Sequence, residues 1–227
     1  GVPTYMIEHK DEAFLLKEKY RGVPTAEFET DKERLNQGEP LAYVIGNIPF
    51  LNTVIYLDSK PLIPRVESEY WLEEALKETS TSPKKVLDIF AGSGALGVAW
   101  AKARPQDDIT FAEIDEAHLA TIQKNIQENN ITNTTTILQS DVWSNITETY
   151  DVILANPPYI PKDRDLPNGV IMLEPLIALF AGEDGLIYLK TFINDLHKHL
   201  NPNGIAYIEH DKIHDLTPLF SKAFTTT

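Results

Sequence analysis

Lys85-Val-Leu-Asp88-Ile-Phe-Ala-Gly92-Ser-Gly94-Ala-Leu-Gly97 is the stretch that decides the fold. Residues 85–90 are apolar enough for a short buried strand, and the glycines that follow open a helix running from Ala95 to Ala103. Outward from this unit the alternation continues. Asp108 to Glu113 reads as a strand and Glu116 to Asn129 as a helix; Thr134 to Gln139 and Asp151 to Ala155 read as strands. Asp184 to Leu200 has helical spacing, and Ile205 to Glu209 is a further strand. Repeated β-α-β units of this kind require a mostly parallel sheet with helices on both faces, so the expected class is α/β, doubly wound. Ligands of such sheets bind beyond the carboxyl ends of the strands, which directs attention to the loops after Phe90, Glu113, Gln139 and Ala155.

Upstream the texture differs. Residues 5–36 mix charge with apolar positions such as Ala13, Leu16 and Tyr20, broken by Gly22-Val23-Pro24, and predict two short helices. From Glu39 to Pro64, β-branched and aromatic residues (Tyr43, Val44, Ile45, Phe50, Val54, Ile55, Tyr56) punctuated by Gly46, Pro49 and Asn52 predict a β-hairpin. Glu67 to Lys77 reads as a connecting helix, and the polar run from Lys77 to Pro83 has nothing to bury. The expected organisation is a helical segment over 1–38, a hairpin and helix over 39–82, and the main α/β domain over 83–227.

Composition narrows the function classes. The chain has 227 residues, 20 Lys plus Arg against 34 Asp plus Glu, and a net charge of -14, which opposes binding to a phosphate backbone over most of the surface. Direct nucleic-acid binding is not expected. There is no Cys, which excludes disulfides and thiolate chemistry. Apolar runs such as Val152 to Ala155 and Leu176 to Ala181 are too short to span a membrane, and the reading is cytoplasmic. No metal is expected: among the six His, the closest pair, His197 and His199, falls two apart on different helix faces. Trp71, Trp100 and Trp143 have no accompanying basic stretch and are expected to pack in or near the core.

The glycines of the first loop let a ligand approach the backbone more closely than a side chain would allow, and a helix N-terminus follows them. Glu113 ends the next strand about twenty residues on, where a carboxylate can accept from both ribose hydroxyls. The alternative is a tight turn and a solvated strand end. Gly92, Gly94 and Gly97 also satisfy the G-x-G-x-x-G fingerprint of nicotinamide dinucleotide enzymes, so an NAD-dependent oxidoreductase stands as a rival. Asp88 weighs against it, because a carboxylate there holds the loop and reaches a ligand ammonium through water but offers nothing to a pyrophosphate. Asp141, after the third strand, either accepts from an adenine amino group or caps a helix.

The sharpest signal is Asn156-Pro157-Pro158-Tyr159, directly after the strand ending at Ala155. Two prolines stiffen the turn and leave carbonyl oxygens without their usual neighbouring amide donors. The carbonyls of Asn156 and Pro157 can then face one planar –NH2 group, with the Tyr159 ring against its flat side. Accepting both N–H bonds favours localising the nitrogen lone pair at the moment of attack, which is the chemistry an unreactive amide or aniline-like nitrogen needs. An Asx-Pro turn with a surface Tyr is the alternative.

Taken together, Asp-x-x-x-Gly-x-Gly, an acidic strand end, an Asp after the third strand and Asn-Pro-Pro-Tyr resemble the class I S-adenosylmethionine-dependent methyltransferases acting on nitrogen, whose fold is Rossmann-like. Three further stretches, Gly38-Glu-Pro-Leu-Ala-Tyr43-Val-Ile-Gly46, Leu62-Ile-Pro-Arg65-Val-Glu67-Ser-Glu69 and Glu174-Pro-Leu-Ile-Ala-Leu179, are similar to the bacterial protein-(glutamine-N5) methyltransferases, the release-factor glutamine methyltransferase family. The resemblance implies S-adenosylmethionine as cofactor, with S-adenosylhomocysteine as product, and a peptide chain release factor as protein partner. By position it assigns cofactor contacts to Asp88, Ala91, Gly92, Gly94, Glu113, Ile114, Asp141, Val142 and Asn156. It assigns catalysis to Asn156, Pro157 and Tyr159, and the glutamine pocket to these with Phe50 and Pro158. Departures include Phe50-Leu51-Asn52 in place of the family's aromatic-Gly pattern and Val66 after Arg65 where the family has Pro. A short helical segment before Gln37 and an end at Thr227 predict a cropped or reduced homologue without the closing strands. The other acceptors implied are a large-subunit ribosomal protein and an adenine amine.

Overall fold

A computed structural model describes residues 9–158 and 187–209. Two helices, α1 (His9–Tyr20) and α2 (Ala26–Asn36), precede a five-residue helix α3 (Leu41–Ile45) and the antiparallel hairpin β1 (Asn47–Phe50) and β2 (Thr53–Tyr56). Helix α4 (Val66–Glu78) leads into β3 (Lys85–Ile89), α5 (Ala95–Ala103), β4 (Asp108–Glu113), α6 (Glu116–Glu128), β5 (Thr135–Gln139) and β6 (Tyr150–Ala155). The last described elements are α7 (Ile187–Leu196), a 3₁₀ turn at His197–His199 and β7 (Leu200–Ile208).

The main sheet runs β5-β4-β3-β6-β7, every neighbouring pair parallel. Alternation along the strands sorts two cores. Val86, Ile109, Phe111, Val152 and Leu154 face the side covered by α4, α5, α6 and the hairpin, where Trp100 and Leu72 are fully buried. Leu87, Ile89, Ile153 and Ala155 face the other side and meet Phe192 and Leu189 of α7 with Trp143. Both faces of each central strand are therefore buried, as a parallel sheet requires. The chain moves outward from β3 to β5, then returns to place β6 on the other side of β3, creating a switch point between those two strands.

Within the described residues the expected helices and strands of the sheet domain are present, most with ends shifted by a residue or more, and the first three residues of the helix expected from Asp184 lie outside them. β7 begins at Leu200 rather than Ile205 and passes Pro202 and Gly204 with a register irregularity opposite Tyr150/Val152. It is the outermost described strand, where a missing ladder N–H is tolerated. Tyr43, Val44 and Ile45 correct the sequence reading, since they form α3 and not hairpin. Pro40 starts that helix and Gly46, at φ 93°, ends it. Val44, 1% exposed, packs with Leu15 and Phe28 of the first two helices, so tertiary burial overrides β propensity. Arg34 pairs in a fork with Glu39 at 2.7 and 2.6 Å, joining α2 to the segment that precedes α3.

Candidate active site

The loop after β3 is built on unusual backbone. Phe90, Gly92 and Gly94 take φ of 58°, 55° and 81°, a region glycine enters without strain and Phe does not. Gly94 starts α5, and Gly97 lets that helix sit on β4: a Cβ there would come within 2.4 Å of the Phe111 ring. Asp88 is fully buried beneath the turn. Its Oδ2 accepts from Gly97 N at 2.9 Å, whereas Oδ1 has no hydrogen-bond partner among the described residues. Burial raises its carboxyl well above the usual carboxylate range, opposed by the Gly97 amide and reinforced by the charge of Glu113.

Glu113, 8% exposed, closes the loop from the next strand. Its Oε1 accepts from Gly92 N at 2.9 Å and its Oε2 from Asp115 N at 2.7 Å. Asp115 in turn caps α6. Beyond β5, Ser140 Oγ donates to Val142 O at 2.8 Å, and Val142 is held at φ 50°, a strained conformation for a β-branched residue.

These loops line an open cavity over the carboxyl ends of β3, β4, β5 and β6. Gly92 and Phe90 form one wall, Glu113 and Ile114 a second, Asp141 and Val142 a third. Asn156 and Pro158 close the end beside β6, and Leu62 and Tyr188 cover it. An adjoining space, lined by Ala91, Ser93, Pro64 and Ser68, shares Phe90, Gly92 and Asn156 with the first. Asn156 thus lines both cavities at the switch point.

A model of the methyltransferase small domain matches residues 68–173. A Lactococcus lactis release factor glutamine methyltransferase is 36% identical over 78% of this chain and 66% of its own length. One from Francisella tularensis is 35% identical over 83% of this chain and 68% of its own length. The chain belongs to the release factor glutamine methyltransferase family. It spans about two thirds of the length of these relatives. In fold it is similar to a T. thermophilus 16S rRNA methyltransferase solved with AdoMet and guanosine, at a TM-score of 0.59 and 19% identity over 78% of this chain and 44% of that one.

The residues present fit the family's cofactor. The cavity has a wall without side chains at Gly92, and acidic groups at Glu113 and Asp141 for a ligand rich in hydroxyl and amino donors. Gly92, Glu113, Ile114, Asp141, Val142 and Asn156, all expected as cofactor contacts, line it together, and Ala91 lines the adjoining space. Asp88 and Gly94 line neither; they shape the loop from beneath. Pro157 is buried behind the turn and Pro158 faces the cavity. Tyr159 lies outside the described residues.

Phe50 corrects an expectation. Read as a wall of the glutamine pocket, it is 1% exposed, belongs to the core between hairpin and sheet, and lines neither cavity. Trp100 and Trp143 are core as expected, and Trp71 packs at its margin. Among the described residues no cluster of acidic or His side chains is arranged to hold a metal ion. The sequence reading missed His118, which is 4% exposed, lines the cavity, and has Nδ1 2.7 Å from Ser59 Oγ. Its place in the first turn of α6, close after Glu113, was the available signal.

Proposed function

We propose that this chain transfers a methyl group from S-adenosylmethionine to the side-chain amide nitrogen of a protein glutamine, with the Gly-Gly-Gln loop of a peptide chain release factor as acceptor. S-adenosylmethionine, when bound, supplies an electrophilic methyl group. The protein's part is to hold the acceptor and prepare its nitrogen. Asn156, bordering both cavities, is the observation that carries the reading. Its side-chain carbonyl and the Pro157 carbonyl accept from the two amide N–H groups, opposing lone-pair delocalisation as the new C–N bond forms. The nitrogen then loses one proton to solvent, and the neutral methylamide and S-adenosylhomocysteine remain.

The names of the relatives support release factors as partner, and the protein then works in the cytoplasm, where release factors act. The test is incubation of this chain with methyl-labelled cofactor, a release factor and its Gln→Ala variant in the Gly-Gly-Gln loop. Label on the parent factor alone is expected. Label on neither factor, or on a ribosomal protein or nucleic acid instead, would overturn the choice of acceptor.

A further inference from the structure

Asn125 in helix α6 and Asn129 at its C-terminal cap stand four residues apart, and each grips the backbone of β2 as a neighbouring strand would. Asn125 Oδ1 accepts from Tyr56 N at 2.7 Å while its Nδ2 donates to Tyr56 O at 3.0 Å. Asn129 Oδ1 accepts from Val54 N at 2.9 Å while its Nδ2 donates to Val54 O at 2.9 Å. The spacing explains the match: four residues of helix rise about 6 Å and two residues of strand about 6.6 Å. The opposite edge of β2 pairs with β1, so the two side chains complete its hydrogen bonding on the side facing the sheet domain.

The two residues differ in their second N–H. Asn129 donates it to Asn125 O in the last turn of α6 at 2.8 Å, and Asn125 donates it to Ser93 O at 2.8 Å. Ser93 lies between Gly92, whose amide sits on Glu113, and Gly94, which begins α5. One fully buried amide therefore spans the hairpin and the glycine loop. If either backbone moves alone, a buried donor is left without its partner.

We infer that Asn125 is a positioning residue that couples the hairpin to the cofactor loop, so that cofactor binding and hairpin order favour one another. Reciprocity is required of any such coupling. The inference rests on the cofactor reading of the larger cavity and on nothing about the acceptor.

The matched variants Asn125→Asp and Asn129→Asp test it, since each replaces a donor to β2 with an acceptor and only the first alters the bond to Ser93. Calorimetry with S-adenosylhomocysteine should show Kd raised about tenfold by Asn125→Asp and less than about twofold by Asn129→Asp, although both lower the melting temperature. Equal effects on Kd, or no effect of Asn125→Asp, would overturn the inference. If the variants do not fold, amide exchange in the parent protein decides: S-adenosylhomocysteine should slow exchange at Tyr56 more than at Val54, and equal protection would overturn it. Failure of the parent to bind S-adenosylhomocysteine would overturn the cofactor reading itself, and the coupling with it.

Discussion

The Glu113 carboxylate receives the Gly92 amide at 2.9 Å, which makes the end of β4 part of the glycine loop's own framework. One side chain thus shapes the loop and presents acceptor lone pairs to the cavity. Glu113→Ala removes both contributions, and S-adenosylhomocysteine binding should weaken by about 1–3 kcal/mol. Glu113→Gln retains one acceptor and most of the shape and should lose less. Calorimetry on the two variants checks this, and an unchanged Kd for Glu113→Ala would remove the residue from the site.

Asn156 should matter more to turnover than to binding. Asn156→Ala deletes an acceptor whose value grows as the amide nitrogen rehybridises, so single-turnover rates should fall about a hundredfold, by analogy with loss of one oxyanion-hole donor. Affinity for S-adenosylhomocysteine should change little. A rate within about threefold of the parent would identify the segment as a turn and nothing more.

Gly97 supports the loop through packing. In Gly97→Ala the new methyl lies 2.4 Å from Phe111 Cε1 and 2.9 Å from Cζ, so α5 or the ring must shift. Urea unfolding should show a loss of about 1–3 kcal/mol, and Phe111→Leu in the same chain should restore part of it.

Asp88 gives the protein a pH signature. Burial raises its carboxyl above the unfolded value, so the stability it contributes is complete below that value, about pH 4, and is lost as pH rises through the folded one. Asp88→Asn keeps the acceptor for Gly97 N and removes the ionisation. Melting temperatures of variant and parent should diverge in the variant's favour as pH rises from about 4, and parallel curves would contradict the assignment.

Acidic melting should begin in the N-terminal helices. The Arg34 guanidinium beside Glu39 holds that carboxyl below the usual range, so the pair stabilises above the unfolded value, about pH 4, and its contribution is lost as pH falls through the lower folded value. Amide exchange in α2 and α3 should accelerate in that window before exchange in β3 does. Simultaneous acceleration would mean that the helices and the sheet open together.

Most of the sheet domain was legible in the sequence because its signals are local. β3 and the turn to α5 are written in Lys85 to Gly97, and Glu113 and Asn156 stand out as candidate site residues by falling where strands end. What failed depended on which surfaces meet. The aromatic and β-branched run at Tyr43 to Ile45 became a helix because Val44 finds Leu15 and Phe28, and Phe50 turned inward because the hairpin lies on the sheet's core.

By itself, then, the sequence determined the alternation of strands and helices, the glycine turn and the place of Asn156-Pro157-Pro158 after the fourth parallel strand, since period, glycine and proline act within a few residues. Only the tertiary structure decided that His118 borders the cavity, that Asp88 lies beneath it, and that Asn125 spans Tyr56 and Ser93, positions separated by 69 and 32 residues along the chain. A side-chain amide has no periodicity to announce its partner. Its role is set when folding removes water from around it and the two backbones it can satisfy are the ones within reach.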